Sequence, residues 1–151
     1  MELNLRELPH LVVGSLMEVH KELGPGLLLE AYWTSLAHEF RMREILFKER
    51  HPVAVNYKGL NIKMGFTIDF VVEDVMALHL YAVDELEQIH KERLKSHLQL
   101  SGLEMGFMVN FDCVDFRKGG LKRVIVSENE PEMPWRGVDD GEDKVRRVQD
   151  W

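Results

Sequence analysis

Three polar side chains in the middle of the chain could act together. Asp69 lies in an extended run, and His79 and Tyr81 lie two residues apart in the next one. Because residues i and i+2 of a strand point to the same face, His79 and Tyr81 would reach one site. A carboxylate and an imidazole can bind a transition metal, so Asp69 and His79 are a weak candidate pair of metal ligands. The commoner alternative is that His79 and Tyr81 fill a cavity and hydrogen-bond to each other.

The elements that would position these side chains follow from hydrophobic periodicity. Apolar residues at helical spacing predict two helices near the N-terminus and a third after the central strands, and a period of two predicts the strands between and after them. The order is ααβββ(β)αββ, which predicts an α/β (α+β) fold with a mixed β-sheet flanked by helices. The predicted ranges are helices at 9–23, 27–42 and 87–101, and strands at 52–57, 60–70, 76–83, 104–111 and 121–126.

The strand from Leu60 to Phe70 shows the clearest alternation. Its apolar residues are predicted to share one face, with Asp69 on the other face. The members of the apolar face are Leu60, Ile62, Met64, Phe66, Ile68 and Phe70.

Several short motifs occur in an order that resembles a known family. Gly24-Pro-Gly26 precedes Tyr32, Asp69 precedes the strand of residues 76–83, and a helix and the run 106–111 follow. From about Leu11 to Val126 the chain is similar to the GxxExxY proteins, a branch of the PD-(D/E)xK nuclease-like superfamily. The resemblance implies a restriction-endonuclease-like fold. It also implies hydrolysis of phosphodiesters by a Mg²⁺ ion that two carboxylates and a lysine assist.

The same alignment implies a degenerate active site. Leu29 falls in the glutamate position of the motif that names the family, His79 in the second carboxylate position and Tyr81 in the lysine position. Of these groups Asp69 alone is retained. Neutral imidazole is a poor ligand for Mg²⁺, and a tyrosine carries no positive charge near neutral pH. The resemblance therefore implies a pseudoenzyme with no catalytic residues and no cofactor.

Two positions on the third predicted helix are altered as well. Arg93 and His97 fall where the family usually has glutamine and tyrosine.

Two hypotheses of function stay open. The first is a non-catalytic nuclease-like domain that acts by binding, as a structural or regulatory subunit or as a homo-oligomer. The second is a divergent metal-dependent phosphodiesterase or nuclease with a relocated carboxylate site, formed by Glu30 and Asp69 with Glu73 or Asp74.

Length and charge limit the partners. A chain of 151 residues is long enough for one domain with a proper core. Its formal net charge is −7, and there is no basic excess of the kind that drives binding to a phosphate backbone, so no nucleic-acid partner is expected. The single cysteine, Cys113, excludes an internal disulfide and fits a reducing compartment. The start of the chain does not have the features of a signal peptide, and no apolar run is long enough for a membrane span. A cytoplasmic protein without membrane contact is predicted.

The last part of the chain differs in composition from the rest. Residues 1–126 are predicted to form the domain. Residues 127–151 contain eight acidic and four basic side chains and are predicted to be an acidic tail, extended or disordered. Trp135 and Trp151 stand in this polar segment and could anchor a protein partner.

Overall fold

In the part of the chain that the structure describes, six strands form one sheet and lie in it in their order along the chain. The computed structural model describes residues 6–126 and the backbone of 145–148. Neighbouring strands are antiparallel except for β3 and β4, which are parallel. The predicted α/β fold, a mixed sheet flanked by helices, is confirmed. The elements are α1 (Leu8–Leu23), α2 (Leu29–Met42), β1 (Phe47–Tyr57), β2 (Leu60–Val72), β3 (Met76–Tyr81), α3 (Gln88–Ser101), β4 (Met105–Asn110), a π-helical turn (Phe116–Gly120), β5 (Leu121–Val126) and β6 (Val145–Val148).

Helices cover both faces of the sheet. A parallel pair of strands needs a crossover, and α3 is the crossover between β3 and β4. On the face covered by α1 and α2, the core consists of 21 buried apolar residues, among them Tyr32, Phe40, Phe70 and Phe107. On the face covered by α3, seven buried apolar residues form a second cluster that includes Ile68, Leu94 and Leu98. The candidate site residues are distributed between these two clusters, which differ in size.

Residues close in the sequence determine where α3 begins and ends. The Glu87 side chain accepts a hydrogen bond from the backbone of His90, and the His90 ring accepts one from the backbone of Glu87, which forms a capping box. Gly102 ends the helix in the left-handed conformation, which glycine adopts without steric cost. No helix within residues 6–126 is long and apolar enough to cross a membrane.

The alternation predicted for β2 is wrong at Asp69. Ile68 packs in the cluster under α3, whereas Phe70 packs in the cluster under α1 and α2, so the two residues face opposite sides of the sheet. On the neighbouring strand, Glu49 pairs with Phe70 and His51 pairs with Ile68. The reversal lies between these pairs, where Arg50 has a positive φ of 46°. A backbone irregularity of this kind has no signal in the hydrophobic pattern.

The sixth strand was not predicted from the sequence. Val145–Val148 pairs with β5 in antiparallel register, from Arg123↔Val148 to Val126↔Val145. The sheet therefore continues beyond the domain boundary predicted at residue 126. The rest of the predicted tail, including Trp135 and Trp151, lies outside the described residues.

Candidate functional site

Tyr32 holds the turn that precedes α2. Its hydroxyl donates to the Gly24 carbonyl at 2.5 Å and accepts from the Leu27 amide at 3.2 Å. Its ring is fully buried and stacks on Phe111 with centroids 4.5 Å apart. Gly24 and Gly26 both have positive φ, so the turn needs residues without a side chain. The glycines and the tyrosine of this motif therefore have a structural role here.

Leu29 lies between Gly26 and Tyr32 in the sequence and is the first residue of α2. It is half-buried and packs against the core beneath α1 and α2. Its neighbour Glu30 is exposed and pairs with Arg50, with Oε2 and Nη2 3.4 Å apart. The carboxylate thus points away from the position that Leu29 occupies.

Asp69 lies at the reversal of β2 and is fixed by the next strand. Its Oδ2 accepts a hydrogen bond from the Leu80 amide at 2.9 Å. Burial raises the pKa of Asp69 above its usual value, although the Leu80 amide and the charge of Arg50 act against that rise. The Arg50 guanidinium lies 4.1 Å from the centre of the Trp33 ring. One guanidinium is therefore stacked on an aromatic ring and interacts with both Glu30 and Asp69.

His79 is 4% exposed and has a histidine partner on α3. Its Nε2 is 3.0 Å from Nδ1 of His97, so one imidazole donates and the other accepts. The His97 ring is stacked on Phe66 at 4.0 Å. Burial, together with the charges of His97 and Arg93, lowers the pKa of His79 to about 3. The pKa of His97 is also lowered, mainly by burial. Both rings are therefore neutral near pH 7.

Tyr81 has a partner on the same helix. Arg93 hydrogen-bonds to its hydroxyl, and the ring of His90 lies 4.5 Å away. Burial raises the pKa of Tyr81, while Arg93 acts against the rise, so the group is a neutral phenol at pH 7. The interpretation that His79 and Tyr81 hydrogen-bond to each other is wrong, because α3 supplies the partner of each. Their ring centroids are 6.5 Å apart.

The carboxylates of the alternative site do not meet. Glu73 accepts a hydrogen bond from the Leu46 amide at 2.7 Å, and Asp74 pairs with Lys48 at 3.0 Å. Asp69 is separated from Val72, the last residue of β2, by about 10 Å of extended chain, and Glu73 follows in the turn beyond the strand. Within the described ranges, no group of three or more His, Cys, Asp or Glu side chains is placed to hold a metal ion.

The residues that the resemblance places at the family's metal position do not suit Mg²⁺. This ion needs several oxygen ligands in octahedral geometry. The position offers one carboxylate that already accepts from the backbone, one imidazole bonded to another imidazole, and one phenol bonded to a guanidinium. A softer metal bound at His79 Nε2 would displace the contact of that atom with His97.

A cysteine–histidine contact occurs that the sequence did not suggest, because 93 positions separate the two residues. His20 Nε2 lies 3.9 Å from the Cys113 sulfur but only 2.8 Å from the Cys113 carbonyl oxygen. The thiol contacts the Asn110 carbonyl, and burial raises the pKa of Cys113. An activated nucleophile needs a lowered pKa, so this contact holds the loop after β4 rather than forming a catalytic pair.

A comparison with protein families gives a match over most of the chain. The model of the PD-(D/E)XK nuclease superfamily matches residues 6–124, a range that includes all the site positions described above. No curated protein and no solved structure matches the chain.

Proposed function

The chain belongs to the PD-(D/E)XK nuclease superfamily, and on this premise we propose that it is a non-catalytic member of the GxxExxY type. In this proposal the domain acts by binding protein, as a structural or regulatory subunit in the cytoplasm.

The observation that carries the proposal is the set of partners in the nuclease position. His79 bonds to His97, Tyr81 bonds to Arg93, and Leu29 packs against the core. Each of these three side chains is bonded to, or packed against, neighbouring residues, so none of them leaves an empty space. Metal-assisted hydrolysis needs a metal-held nucleophile, and these neutral groups do not provide the charge that would hold the metal.

Charge supports a protein partner over a nucleic acid. The first 126 residues have a net charge of −3, and binding to a phosphate backbone is driven by a basic surface. The two guanidinium groups nearest the site are already engaged: Arg50 pairs with Glu30, and Arg93 bonds to Tyr81.

The non-catalytic part of the proposal is tested with a cleavage assay. Single- and double-stranded DNA and RNA are incubated with Mg²⁺ or Mn²⁺ and either the wild type or Asp69→Asn, which keeps the size of the side chain. We expect neither protein to cut any substrate. Metal-dependent cleavage by the wild type that is lost in Asp69→Asn would overturn the proposal.

One observation bears on the alternative, a relocated metal site. Arg50 pairs with Glu30, and its charge also acts on Asp69, so one guanidinium interacts with two carboxylates. Removing it with Arg50→Ala would leave both carboxylates free for a cation. If the relocated site is real, calorimetry will show stoichiometric Mg²⁺ or Mn²⁺ binding in the wild type. We expect no such binding in the wild type, and at most weak binding in Arg50→Ala.

A further inference from the structure

A groove lies between α1 and the loop that follows β4. One wall is a face of α1 on which Gly14, Met17 and Lys21 recur at helical spacing. The other wall is the segment 114–117, which runs into the π-helical turn. The cavity has a volume of about 590 Å³, a size that is common for binding clefts. No residue of the nuclease position lines this groove, so any ligand of the groove binds at a separate site.

The loop wall of the groove is held in place by local contacts. The Cys113 carbonyl oxygen lies 2.8 Å from Nε2 of His20 on α1, and Asp115 accepts a hydrogen bond from the Arg117 amide at 3.1 Å. At Gly120 a Cβ atom would lie 2.6 Å from a backbone carbonyl oxygen, so the π-helical turn needs glycine there. π-Helical segments are rare and often occur at functional sites. The wall is therefore formed before a partner arrives, which lowers the entropic cost of binding.

Apolar side chains line the groove from its base to its rim. Phe116 is buried, Met17 is half-buried, and Val114 is 93% exposed. A side chain as exposed as Val114 buries almost no apolar area in the fold, so it contributes little to stability. The loop nevertheless holds Val114 beside the groove. This arrangement suits the burial of an apolar side chain that a partner supplies.

The charged groups of the groove favour an acidic partner. Lys21 and Arg117 are both exposed, and within the described part of the chain no carboxylate pairs with either of them. The carboxylate of Asp115 interacts with its own turn, where it binds the Arg117 amide and lies 4.0 Å from the Lys118 ammonium group. Two cations are thus available in a chain whose net charge is −7, and complementary charge determines which partners bind.

Glu18 limits the number of acidic groups that the partner can contain. It lines this groove and also a second groove on the α2 side of α1, which Glu22 and Glu39 line as well. A carboxylate placed beside Glu18 would be repelled. A segment with a single acidic side chain therefore fits the groove better than a run of acidic residues.

We propose that this groove binds a short segment of a partner protein in which an apolar side chain lies next to one acidic side chain. The face of α1 from Gly14 to Lys21 is about 10 Å long, which corresponds to about three residues of an extended peptide. The apolar side chain packs against Met17 and Phe116, and the acidic side chain pairs with Lys21 or Arg117. The proposal deepens the proposed function, on which it rests, because it names the binding surface and the chemistry of the partner.

The test is an NMR titration of the isotope-labelled full chain with three peptides that have blocked ends. The first is Gly-Ser-Leu-Asp-Ser-Gly, the second has lysine in place of aspartate, and the third has serine in place of leucine. We expect the first peptide alone to cause saturable shifts of the amide signals of Met17, Val114 and Arg117. The second peptide tests the charge of the partner, and the third tests its apolar side chain.

A charge-reversed variant assigns the binding to the groove. Lys21→Glu combined with Arg117→Glu should weaken binding of the first peptide by about tenfold, because two exposed ion pairs are replaced by repulsion. Lys58→Glu combined with Lys63→Glu is the matched control. It changes the net charge equally, at exposed positions on the hairpin of β1 and β2, and it should bind like the wild type.

Three results would overturn the proposal: no saturable shift, equal binding of the lysine peptide, or equal binding by the charge-reversed variant. Vesicles of phosphatidylserine and phosphatidylcholine test a membrane surface as the occupant, and cosedimentation with them in the absence of peptide binding would also overturn it. The same would follow if these amide signals shifted with protein concentration alone, since a second copy would then occupy the groove. The cleavage assay tests the non-catalytic proposal separately, so failure of one is distinguishable from failure of the other.

Discussion

The two faces of the sheet differ in the size of their apolar cluster and in the polar side chains that they contain. The face under α1 and α2 has the larger apolar core and the motif tyrosine Tyr32, whose ring and hydroxyl both stabilise the fold. The face under α3 has the smaller cluster, together with His79, Tyr81 and their helix partners. Tyr32 lies where packing requires it. His79 and Tyr81 lie where the proposed alignment places the charged groups of a nuclease. The two tyrosines, Tyr32 and Tyr81, therefore have different roles in one domain under the proposed function.

The largest expected effect comes from introducing the charged groups that the proposed alignment assigns to an active family member. The variant with Leu29→Glu, His79→Glu and Tyr81→Lys places new charges in positions now adapted to neutral side chains. An uncompensated buried charge costs about 3–5 kcal/mol, so we expect the free energy of unfolding to fall by roughly 5 kcal/mol, without nuclease activity. Urea denaturation measures the loss.

Leu28→Glu is the control for the first substitution, because Leu28 is 83% exposed and should tolerate the charge. A stable triple variant that cleaves DNA would mean that the nuclease position is intact and only chemically silenced.

The two tyrosines give the next largest effect. Tyr32→Ala removes a fully buried ring and both hydrogen bonds of the turn, and should cost about 4 kcal/mol. Tyr81→Ala removes a half-buried ring and should cost about 2 kcal/mol. Equal losses in urea denaturation would show that the two faces contribute alike and would break the comparison.

The histidine pair should make stability depend on pH. The pKa of His79 is about 3 in the folded protein, compared with about 6.5 in the unfolded chain. Its stabilising contribution is therefore complete above pH 6.5 and is lost as the pH falls, because only the unfolded chain then binds the proton. By pH 5 the loss is about 2 kcal/mol. Asp69, with a raised pKa, acts in the opposite sense, since protonation at low pH favours the folded form.

His79→Gln isolates the contribution of His79 to the pH dependence of stability, because glutamine does not titrate and Asp69 is left in place. Its unfolding free energy should fall much less between pH 8 and pH 5 than that of the wild type. Identical pH profiles would contradict the assignment of the effect to His79.

The smallest expected effect is that of Mg²⁺. A ligand present at a thousandfold excess over its dissociation constant stabilises a protein by about 4 kcal/mol. With Asp69 as the single carboxylate in the position, we expect millimolar Mg²⁺ to change the unfolding free energy by less than about 0.5 kcal/mol. A large stabilisation in thermal unfolding that Asp69→Asn abolishes would indicate a metal site on the α3 face.

The sequence by itself determined the helices and the first five strands. Hydrophobic periods and the Gly-Pro-Gly turn depend on residues close in the chain, so these elements and their order could be read directly. The replacement of the family groups at Leu29, His79 and Tyr81 remains a prediction that rests on residue identity and on the resemblance. Tertiary structure decided the rest: the partners His97 and Arg93, the reversal at Asp69, the interaction of Arg50 with two carboxylates, and strand β6. These depend on how α3 docks on the sheet and on backbone geometry at single residues, and such contacts between distant positions leave no periodic signal in the sequence.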